Sequence, residues 1–495
     1  MSDEKKTLKK NLWFFPLGTV GRDMLYQLFT NYILLFVLFT HQLTAAQLMA
    51  ITFIMVVARV FDALNDPIMG NIIESTRTRW GKYKPWLLIG IITTGIVVYL
   101  SFNVTLEGWA FVVFFAFMYL MYSVTYTMHD ISYWGMIPSL GKDGRSRDQF
   151  TSRATLFAGV GGTLAGLLIP MLTTGSMTLG GSAQKAYGRV ALIFSILAPL
   201  FLCFTIFGVK EDRSYMQQKA PKVSFKKIWT TIVKNDQLVW ISIIFLLQQI
   251  GINLILGGLG STYIYFAFGY EGGLYSLFST IGVLATAFLM VFYPSISKRV
   301  KRKTLMKYML YMALVFYVVM IVAGIFMPQS TLKFWVITIS YMFTNLGQYA
   351  YYLVMMISII NTVEYNEYKN GERDEAIIAS LRPFLTKLSS ALVVLLTSVT
   401  YLIFGVTGIT NQISSLERET SLGLITEVEK LSSINGVLSG VSKTQTTGLM
   451  LVMGILPAVL MTAAYVLYKK HYILDEDEYD KILVELEKRK ENNNG

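Results

Sequence analysis

The sequence has few cysteines, histidines and charged side chains, and each shortage excludes a class of protein. A single cysteine, Cys203, among 495 residues excludes a disulfide framework and a cysteine-rich metal or iron–sulfur site. The three histidines, His41, His129 and His471, lie far apart along the chain, which argues against a histidine-clustered metal centre. Charged residues make up 15% of the chain, against about 25% in average globular proteins, and 54% are hydrophobic. We therefore expect a membrane protein that is not an enzyme and has no resident cofactor.

Twelve apolar stretches are long enough to cross a bilayer, since a spanning helix needs about 20 apolar residues. They predict an all-α membrane protein with twelve transmembrane helices in two six-helix halves, the arrangement of major facilitator-type carriers. The predicted domains are an N-terminal six-helix bundle (1–209), a cytoplasmic middle loop (210–236), a C-terminal six-helix bundle (237–468) and a cytoplasmic tail (469–495). We expect a partly helical cap or a mobile loop at 410–445 and a short exposed helix in the tail.

Positive charge is distributed unevenly between the two sides of the predicted membrane. The net charge of +12 would indicate nucleic acid as the partner of a soluble protein, but 31 of the 43 lysines and arginines lie in segments on the side of the N-terminus. The positive-inside rule assigns that side to the cytoplasm. The sequence thus predicts a multi-pass protein of the cell membrane with both termini cytoplasmic, no nucleic-acid partner, and a functional monomer.

Ionisable residues in the middle of predicted spans are costly and therefore indicate function. Asp23, Asp62 and Lys387 each lie 11 or 12 residues from the inner end of a different span. At 1.5 Å per residue, that is about 17 Å of depth, near the midplane of the hydrocarbon core. Carriers of this architecture bind substrate and coupling ion at this level.

Span two has the spacing of a small cation site. Asp62 and Asp66 lie on one helical face with Asn65 beside them, and Thr127 on span four offers a hydroxyl. Two carboxylates, an amide oxygen and a hydroxyl would form an oxygen cage for a hard monovalent cation. The alternative is that Arg59, on the same face, only neutralises the two acids and fixes helix packing.

Span four carries an aromatic stripe around one carboxylate. Tyr122, Tyr126, Asp130 and Trp134 follow one another at i+4 spacing. A carboxylate that accepts hydroxyl hydrogen bonds beside an aromatic plate is typical of sugar binding. Packing between helices is the alternative interpretation, which we favour for Tyr122 and leave open for Trp134.

Four segments together resemble the glycoside–pentoside–hexuronide:cation symporter family. They are ARVFDALNDPIMGNIIESTRTRWGKYKPW (58–86), GRD (21–23), TYTMHDISYW (125–134) and TVEYNEYKNGERDEAIIASLRPFLTKLSS (362–390). The resemblance covers essentially the whole transporter body. It implies a cation site of Asp62, Asn65, Asp66 and Thr127, with sodium favoured over a proton or lithium and held chiefly by the two carboxylates.

The resemblance also implies a substrate site and a gate. The implied substrate site comprises Arg22, Asp23, Tyr126, Asp130, Trp134, Arg153 and Lys387, although Arg153 lies two residues before the family's arginine position, where this chain has Thr155. The implied cytoplasmic gate comprises Arg147, Glu364, Glu367 and Arg373. The predicted function is cation-coupled symport of a glycoside or small oligosaccharide by alternating access. The alternative is a lysolipid carrier of the same fold.

Overall fold

A computed structural model describes residues 3–141, 144–211 and 225–494. Within these ranges the chain is almost entirely helical, as the sequence predicts. The α-helices, numbered along the chain, are α1 (Asp3–Thr40), α2 (Ala45–Ser75), α3 (Lys84–Phe102), α4 (Gly108–Gly135), α5 (Ile137–Leu140), α6 (Gly144–Thr173), α7 (Ala183–Gly208), α8 (Phe225–Lys234), α9 (Asp236–Asn253), α10 (Gly260–Phe268), α11 (Gly272–Ser297), α12 (Arg302–Phe326), α13 (Thr331–Asn370), α14 (Glu375–Ile403), α15 (Val406–Ser421), α16 (Glu427–Ser439), α17 (Lys443–His471) and α18 (Glu476–Asn494).

Twelve segments of the described chain are long and apolar enough to cross a membrane, which confirms the predicted number of spans. They are Lys6–Thr40, Ala45–Asp62, Lys84–Phe102, Gly108–Leu140, Ser146–Thr173, Ala183–Gly208, Asp236–Phe268, Gly272–Tyr293, Arg302–Phe326, Thr331–Asn370, Ser380–Ile403 and Lys443–His471. Helices suit this environment because they satisfy every backbone hydrogen bond internally. The all-α, twelve-span fold in two six-helix halves is confirmed, and the chain is a multi-pass membrane protein.

Local sequence explains where several helices begin and break. Thr44 starts α2 through a capping box with Gln47, in which each side chain bonds the other residue's backbone N–H. Ser330 caps α13, and Gly371 ends it in the left-handed conformation at φ 73°. Between α9 and α10, span seven contains a π-helical turn (Ile255–Leu259), where Gly258 has a φ of 131°. Glycine permits this break, because a residue with a Cβ rarely adopts such a φ.

The chain forms two compact units. Unit 1 comprises Met1–Ala220, Ile264–Leu277 and Tyr401–Ser442. Within it α1 packs on α6 and α7, and α4 packs on α2 and α3. Unit 2 comprises Pro221–Tyr263, Phe278–Thr400 and Lys443–Gly495, with α12 packed on α13 and α17, and α9 on α13 and α17. The domain boundaries drawn from the sequence remain a prediction, and 212–224 of the predicted middle loop lie outside the described residues.

The polar segment 410–445 forms two helices, α15 and α16, which we call the cap. It follows span eleven, so it lies on the side opposite the N-terminus, the cap side. Within unit 1 the carboxylate of Glu417 accepts a hydrogen bond from the backbone N–H of Ala183 at 2.6 Å. Lys430 lies 3.4 Å from Glu417 and donates to the carbonyl of Gly181 at 2.6 Å, and both charged side chains are fully buried. The cap is therefore packed structure and not a mobile loop.

The tail helix α18 forms as predicted and is exposed along much of its surface, but one side of it is packed. Ile482 and Leu486 are only 3% and 6% exposed. Three consecutive acids pair with three consecutive bases in reverse order: Asp475–Lys303 at 2.9 Å, Glu476–Arg302 at 3.0 Å and Asp477–Lys301 at 2.6 Å. The tail is docked within unit 2 because its acids complement the basic segment 301–303.

Candidate functional site

In unit 1, α1 and α4 bring one arginine between two carboxylates. The Nε and Nη2 atoms of Arg22 donate to Oδ2 of Asp23 at 3.0 and 2.8 Å. Its Nη1 atom donates to Oδ1 of Asp130 at 3.1 Å. The Arg22 side chain is 3% exposed. A guanidinium suits this position because its planar donors can bond two carboxylates at once.

Two aromatic rings complete the cluster around Arg22. The indole N–H of Trp134 donates to Oδ1 of Asp130 at 3.2 Å. The guanidinium carbon of Arg22 lies 5.3 Å from the Trp134 ring centroid and 5.0 Å from that of Tyr133. Tyr133 is fully buried, and its hydroxyl donates to the carbonyl of Phe15 at 2.8 Å. Tyr133 is not among the residues predicted from the sequence, although its i+3 spacing from Asp130 places it on a nearby face of α4.

The carboxylates of this cluster differ in exposure. Asp23 keeps 16% of its side chain exposed and Asp130 keeps 38%. Oxygen atoms of Asp130 are thus open to a ligand, while Arg22 and Trp134 fix the carboxylate's position. An anchored carboxylate next to an indole ring is able to accept hydroxyl hydrogen bonds and to cover the apolar face of a sugar.

The remaining aromatics of the span-four stripe divide as the sequence suggested. Tyr122 is buried and stacks on Phe29 with ring centroids 3.7 Å apart, as a packing residue does. Tyr126 is half-buried, with its ring 5.2 Å from that of Tyr26 and 5.4 Å from that of Tyr122. Tyr126 therefore lies at the border between the packed aromatics and the cluster of Arg22, Asp23, Asp130 and Trp134, which we call the acid–tryptophan cluster.

The predicted cation residues lie where α2 meets α4. The hydroxyl of Thr127 donates to Oδ1 of Asp66 at 3.2 Å, so two of the four predicted ligands are in contact. Asn65 and Asp66 are half-buried, and Nδ2 of Asn65 is a buried atom without a hydrogen-bond partner in the described chain.

Arg59 approaches one of the two span-two acids. Its Nη1 atom lies 3.5 Å from Oδ2 of Asp62, and each side chain is 7% exposed. The contact at 3.5 Å is long for a charged pair. The structure thus brings Arg59 to Asp62 and the Thr127 hydroxyl to Asp66. The contact with Asp62 agrees with the alternative interpretation, in which Arg59 neutralises the acids of this face.

One predicted substrate residue of unit 1 lies away from the acid–tryptophan cluster. Arg153 donates to the carbonyl of Leu12 at 3.2 Å, and its guanidinium lies 5.1 Å from the Trp13 ring. These partners precede Asp23 on α1 by about ten residues, roughly 15 Å along a helix. The rotation of Arg153 away from the family position accounts for this. Lys387 is a half-buried residue of α14 in unit 2, and its predicted role stays a prediction.

The predicted gate residues lie in both units. In unit 1, Nε of Arg147 donates to the carbonyl of Gly141 at 3.0 Å. In unit 2, Arg373 forms a fork, with Nη2 2.8 Å from Glu364 and Nη1 2.8 Å from Glu367. The structure brings together the three gate residues of unit 2, at the end of α13 and the start of α14.

The chain is similar in sequence to known sugar-transport proteins. Residues 14–476 match the family model described as MFS/sugar transport protein. The chain is 29% identical over 399 residues to the lactose permease of Leuconostoc lactis, a match that covers 76% of this chain and 60% of the permease. It is 25% identical to the raffinose carrier protein of Pediococcus pentosaceus, covering 96% of this chain and 71% of the carrier. The isoprimeverose transporter of Lactiplantibacillus pentosus is 24% identical, covering 75% and 76%.

Solved structures with a similar fold are also transporters. A bacterial homologue of the human lysosomal transporter Spinster superposes with a TM-score of 0.61 at 12% identity, covering 95% of this chain and 99% of that one. A D-xylose–proton symporter gives 0.57 at 12% identity, covering 89% and 99%. At these identities the likeness concerns the fold alone.

Proposed function

Because this chain belongs to the MFS/sugar transport protein family, as the resemblance to the glycoside–pentoside–hexuronide:cation symporters predicted, we propose that it imports a small glycoside or oligosaccharide by cation-coupled symport. The proposed coupling ion is sodium. We place the protein in the cell membrane with both termini cytoplasmic, on the strength of the positive-inside bias.

The observation that carries the proposal is the bridging of Asp23 and Asp130 by Arg22, with Trp134 bonded to Asp130. The guanidinium holds both carboxylates in place, so that their remaining lone pairs can accept hydrogen bonds from sugar hydroxyls. Hydrogen bonds to charged acceptors are stronger than neutral ones, about 1.5–3 kcal/mol each. The indole ring supplies an apolar surface for the C–H face of a pyranose.

Coupling follows from charge in the neighbouring helix. Asp62 and Asp66 lie one turn apart on α2, and Arg59 contacts Asp62, so the pair carries more negative than positive charge. A bound sodium ion offsets that surplus and joins α2 to α4 through Asp66 and Thr127. Since α4 also carries Asp130 and Trp134, the cation orders the helix that holds the sugar ligands. We expect each ligand to tighten the other by about 1–3 kcal/mol, the usual range of site coupling.

The names of the relatives narrow the substrate class that we propose. Lactose, raffinose and isoprimeverose are all sugars of more than one ring, and each names a transporter similar to this chain. The lysolipid alternative has no comparable support.

Uptake into vesicles tests the proposal. The full chain is reconstituted in liposomes, and uptake of labelled lactose, raffinose and a labelled lysolipid is measured with an inward sodium gradient, with an inward proton gradient and with neither. We expect uphill sugar uptake that requires the sodium gradient. Sugar uptake driven by the proton gradient alone would show that the coupling ion is a proton and not sodium. Uptake of lysolipid with no uptake of sugar would refute the proposal that the substrate is a sugar.

A further inference from the structure

A strip of polar side chains on α1 runs from the acid–tryptophan cluster toward the cap side. Asp23, Gln27 and Asn31 follow one another at i+4 spacing and share one helical face. At 1.5 Å per residue, Gln27 lies about 6 Å and Asn31 about 12 Å beyond Asp23 along the axis. The strip therefore starts at the proposed sugar site and continues for two further turns.

Both amides lie inside the membrane-crossing stretch of α1, Lys6–Thr40. In the described chain from 11 to 40, Trp13 and Asn31 are the only exposed residues, and Gln27 is half-buried. The Nδ2 atom of Asn31 donates to Oε1 of Gln27. An amide turned toward lipid would keep polar atoms unsatisfied at a cost of several kcal/mol. We therefore expect the strip to face water and not lipid.

Helix α6 leaves room beside these amides. A Cβ added at Gly162 would come 3.7 Å from Cγ of Gln27, which is ordinary contact. A Cβ added at Gly166 would meet no atom within 4 Å. The carbonyl of Gly166 accepts a hydrogen bond from the Tyr32 hydroxyl at 3.2 Å, so Gly166 lies level with the residue after Asn31. Two glycines one turn apart thus accompany two amides one turn apart.

The lipid-facing side of α6 is distinct from this glycine side. Leu156, Val160 and Leu164 are 64%, 46% and 41% exposed and follow one another at i+4 spacing. Large apolar side chains at that spacing form a stripe that suits lipid. Gly162 and Gly166 belong to a different face, which contacts α1.

We propose that Gln27 and Asn31 form a second saccharide subsite that determines the length of sugar accepted. The inference rests on the proposed function: one ring binds at Asp23, Asp130 and Trp134, and the next ring lies one to two helical turns toward the cap side. One turn is about 5.4 Å, close to the length of a pyranose ring. A primary amide offers two donors and one acceptor without charge, which matches a pair of hydroxyls. Glycine at 162 and 166 leaves the volume that the second ring occupies.

A ratio of affinities tests the subsite. The purified full chain is titrated with methyl β-galactoside and lactose, and with methyl α-galactoside and raffinose, in saturating sodium chloride. Whichever of these two pairs the unaltered chain binds, we expect the longer sugar to bind about tenfold tighter than its methyl glycoside. A site that offers hydrogen bonds discriminates against a ligand that lacks the groups to accept or donate them. In Gln27→Leu and Asn31→Leu that ratio falls to about two or less, while the affinity for the methyl glycoside stays within about twofold.

A second variant removes the space without removing the amides. Gly166→Leu fills the open volume, so it should lower the affinity for the longer sugar alone. Retained binding of the methyl glycoside in each variant shows that the protein is folded. An unchanged ratio in all three variants, or an equal loss for both sugars, would overturn the subsite. Failure of the unaltered chain to bind any sugar of either pair would instead overturn the proposed function, and the subsite with it.

Discussion

The two units handle polar groups inside their spans in different ways. Unit 1 keeps charges there, in the buried contacts of Arg22 with Asp23 and of Arg59 with Asp62. Unit 2 joins its buried helices with neutral groups: the Gln248 amide donates to the Gln348 carbonyl at 2.9 Å. The Gln348 amide in turn donates to the Tyr317 hydroxyl at 3.2 Å.

Unit 2 also has charged side chains inside a span, Arg382 and Lys387 of α14, so the difference concerns the contacts that join helices. Burying an ion pair costs desolvation that a neutral amide bond avoids, so helix packing alone does not require charge. Unit 2 demonstrates this, because its amides connect α9, α12 and α13 without buried acids at those contacts. This contrast supports the proposal that the acids of unit 1 serve ligands, a cation and the hydroxyls of a sugar.

Removing Arg22 should have the largest effect on transport. This variant is therefore the strongest test of the contrast between the charged contacts of unit 1 and the neutral contacts of unit 2. Arg22→Leu leaves the mostly buried Asp23 and the partly exposed Asp130 without their shared partner, and loss of the Asp23 contact alone is worth about 3–5 kcal/mol. We expect vesicle uptake of labelled sugar to fall by about 100-fold or more, the equivalent of such a loss in binding. The double variant Arg22→Leu/Asp23→Asn relieves one stranded acid. It should recover thermal stability in detergent without recovering uptake, and recovery of uptake would mean that the bridge is not needed.

A buried ion pair outside the spans separates structural charge from functional charge within unit 1. Lys430→Met leaves Glu417 buried without its cation, and we expect the free energy of unfolding to fall by about 3–5 kcal/mol. Sodium-dependent sugar binding by the folded protein should persist. The exposed pair of Lys481 with Glu478, 3.0 Å apart, provides the control, since Lys481→Met should leave the free energy of unfolding nearly unchanged.

The stability lost in Lys430→Met should also depend on pH. Burial raises the pKa of Glu417 above its ordinary value even with Lys430 present. Without Lys430, the pKa of Glu417 in the folded protein should rise still further above the pKa that this side chain has in the unfolded chain. The variant's deficit should therefore shrink as the pH falls toward the ordinary glutamate pKa of about 4.3. A deficit that grows on acidification would contradict this account of the pair.

The smallest effect is expected from the neutral network of unit 2. Gln348→Leu removes the bond to the Tyr317 hydroxyl, and also removes a buried Oε1 atom for which no hydrogen bond is recorded in the described chain. Loss of the hydrogen bond destabilises the fold, whereas loss of the unpaired oxygen stabilises it. We therefore expect the free energy of unfolding to change by about 1 kcal/mol or less. Sugar affinity and its sodium dependence should stay as in the unaltered chain. If sugar binding by Gln348→Leu no longer depended on sodium, the neutral network of unit 2 would have a role in binding, contrary to the contrast drawn between the units.

Much of this organisation could be predicted from periodicity and depth. Apolar length alone identified the twelve spans, and i+4 spacing brought Asp130 and Trp134 together on α4. The joining of Asp23 to Asp130 depends on how α1 packs near α4, which spacing within one helix does not contain. Only the depth of Asp23 along its span hinted that it belongs with the other charged residues.

Two features depend on tertiary packing that local sequence does not contain. Arg153 lies two residues before the family position, an offset that turns a helical side chain by about 200°, and it contacts Trp13. Its place in the substrate site remains a prediction. The tail helix was expected to be exposed, and it is so along much of its surface, but Ile482 and Leu486 are buried. Its acids meet complementary bases at 301–303, and no local pattern in the tail predicts that pairing.

We expect a cation on α2 and a sugar on α4 to bind cooperatively inside unit 1. Calorimetric titration of the protein with a sugar that it binds tests this cooperativity most directly. Affinity is measured at zero and saturating sodium chloride, with choline chloride keeping ionic strength constant, for the unaltered chain and for Asp66→Ala. We predict that sodium tightens binding by about 5- to 150-fold in the unaltered chain and not at all in Asp66→Ala. Equal sugar affinity with and without sodium in the unaltered chain, or an undiminished sodium effect in Asp66→Ala, would contradict the account.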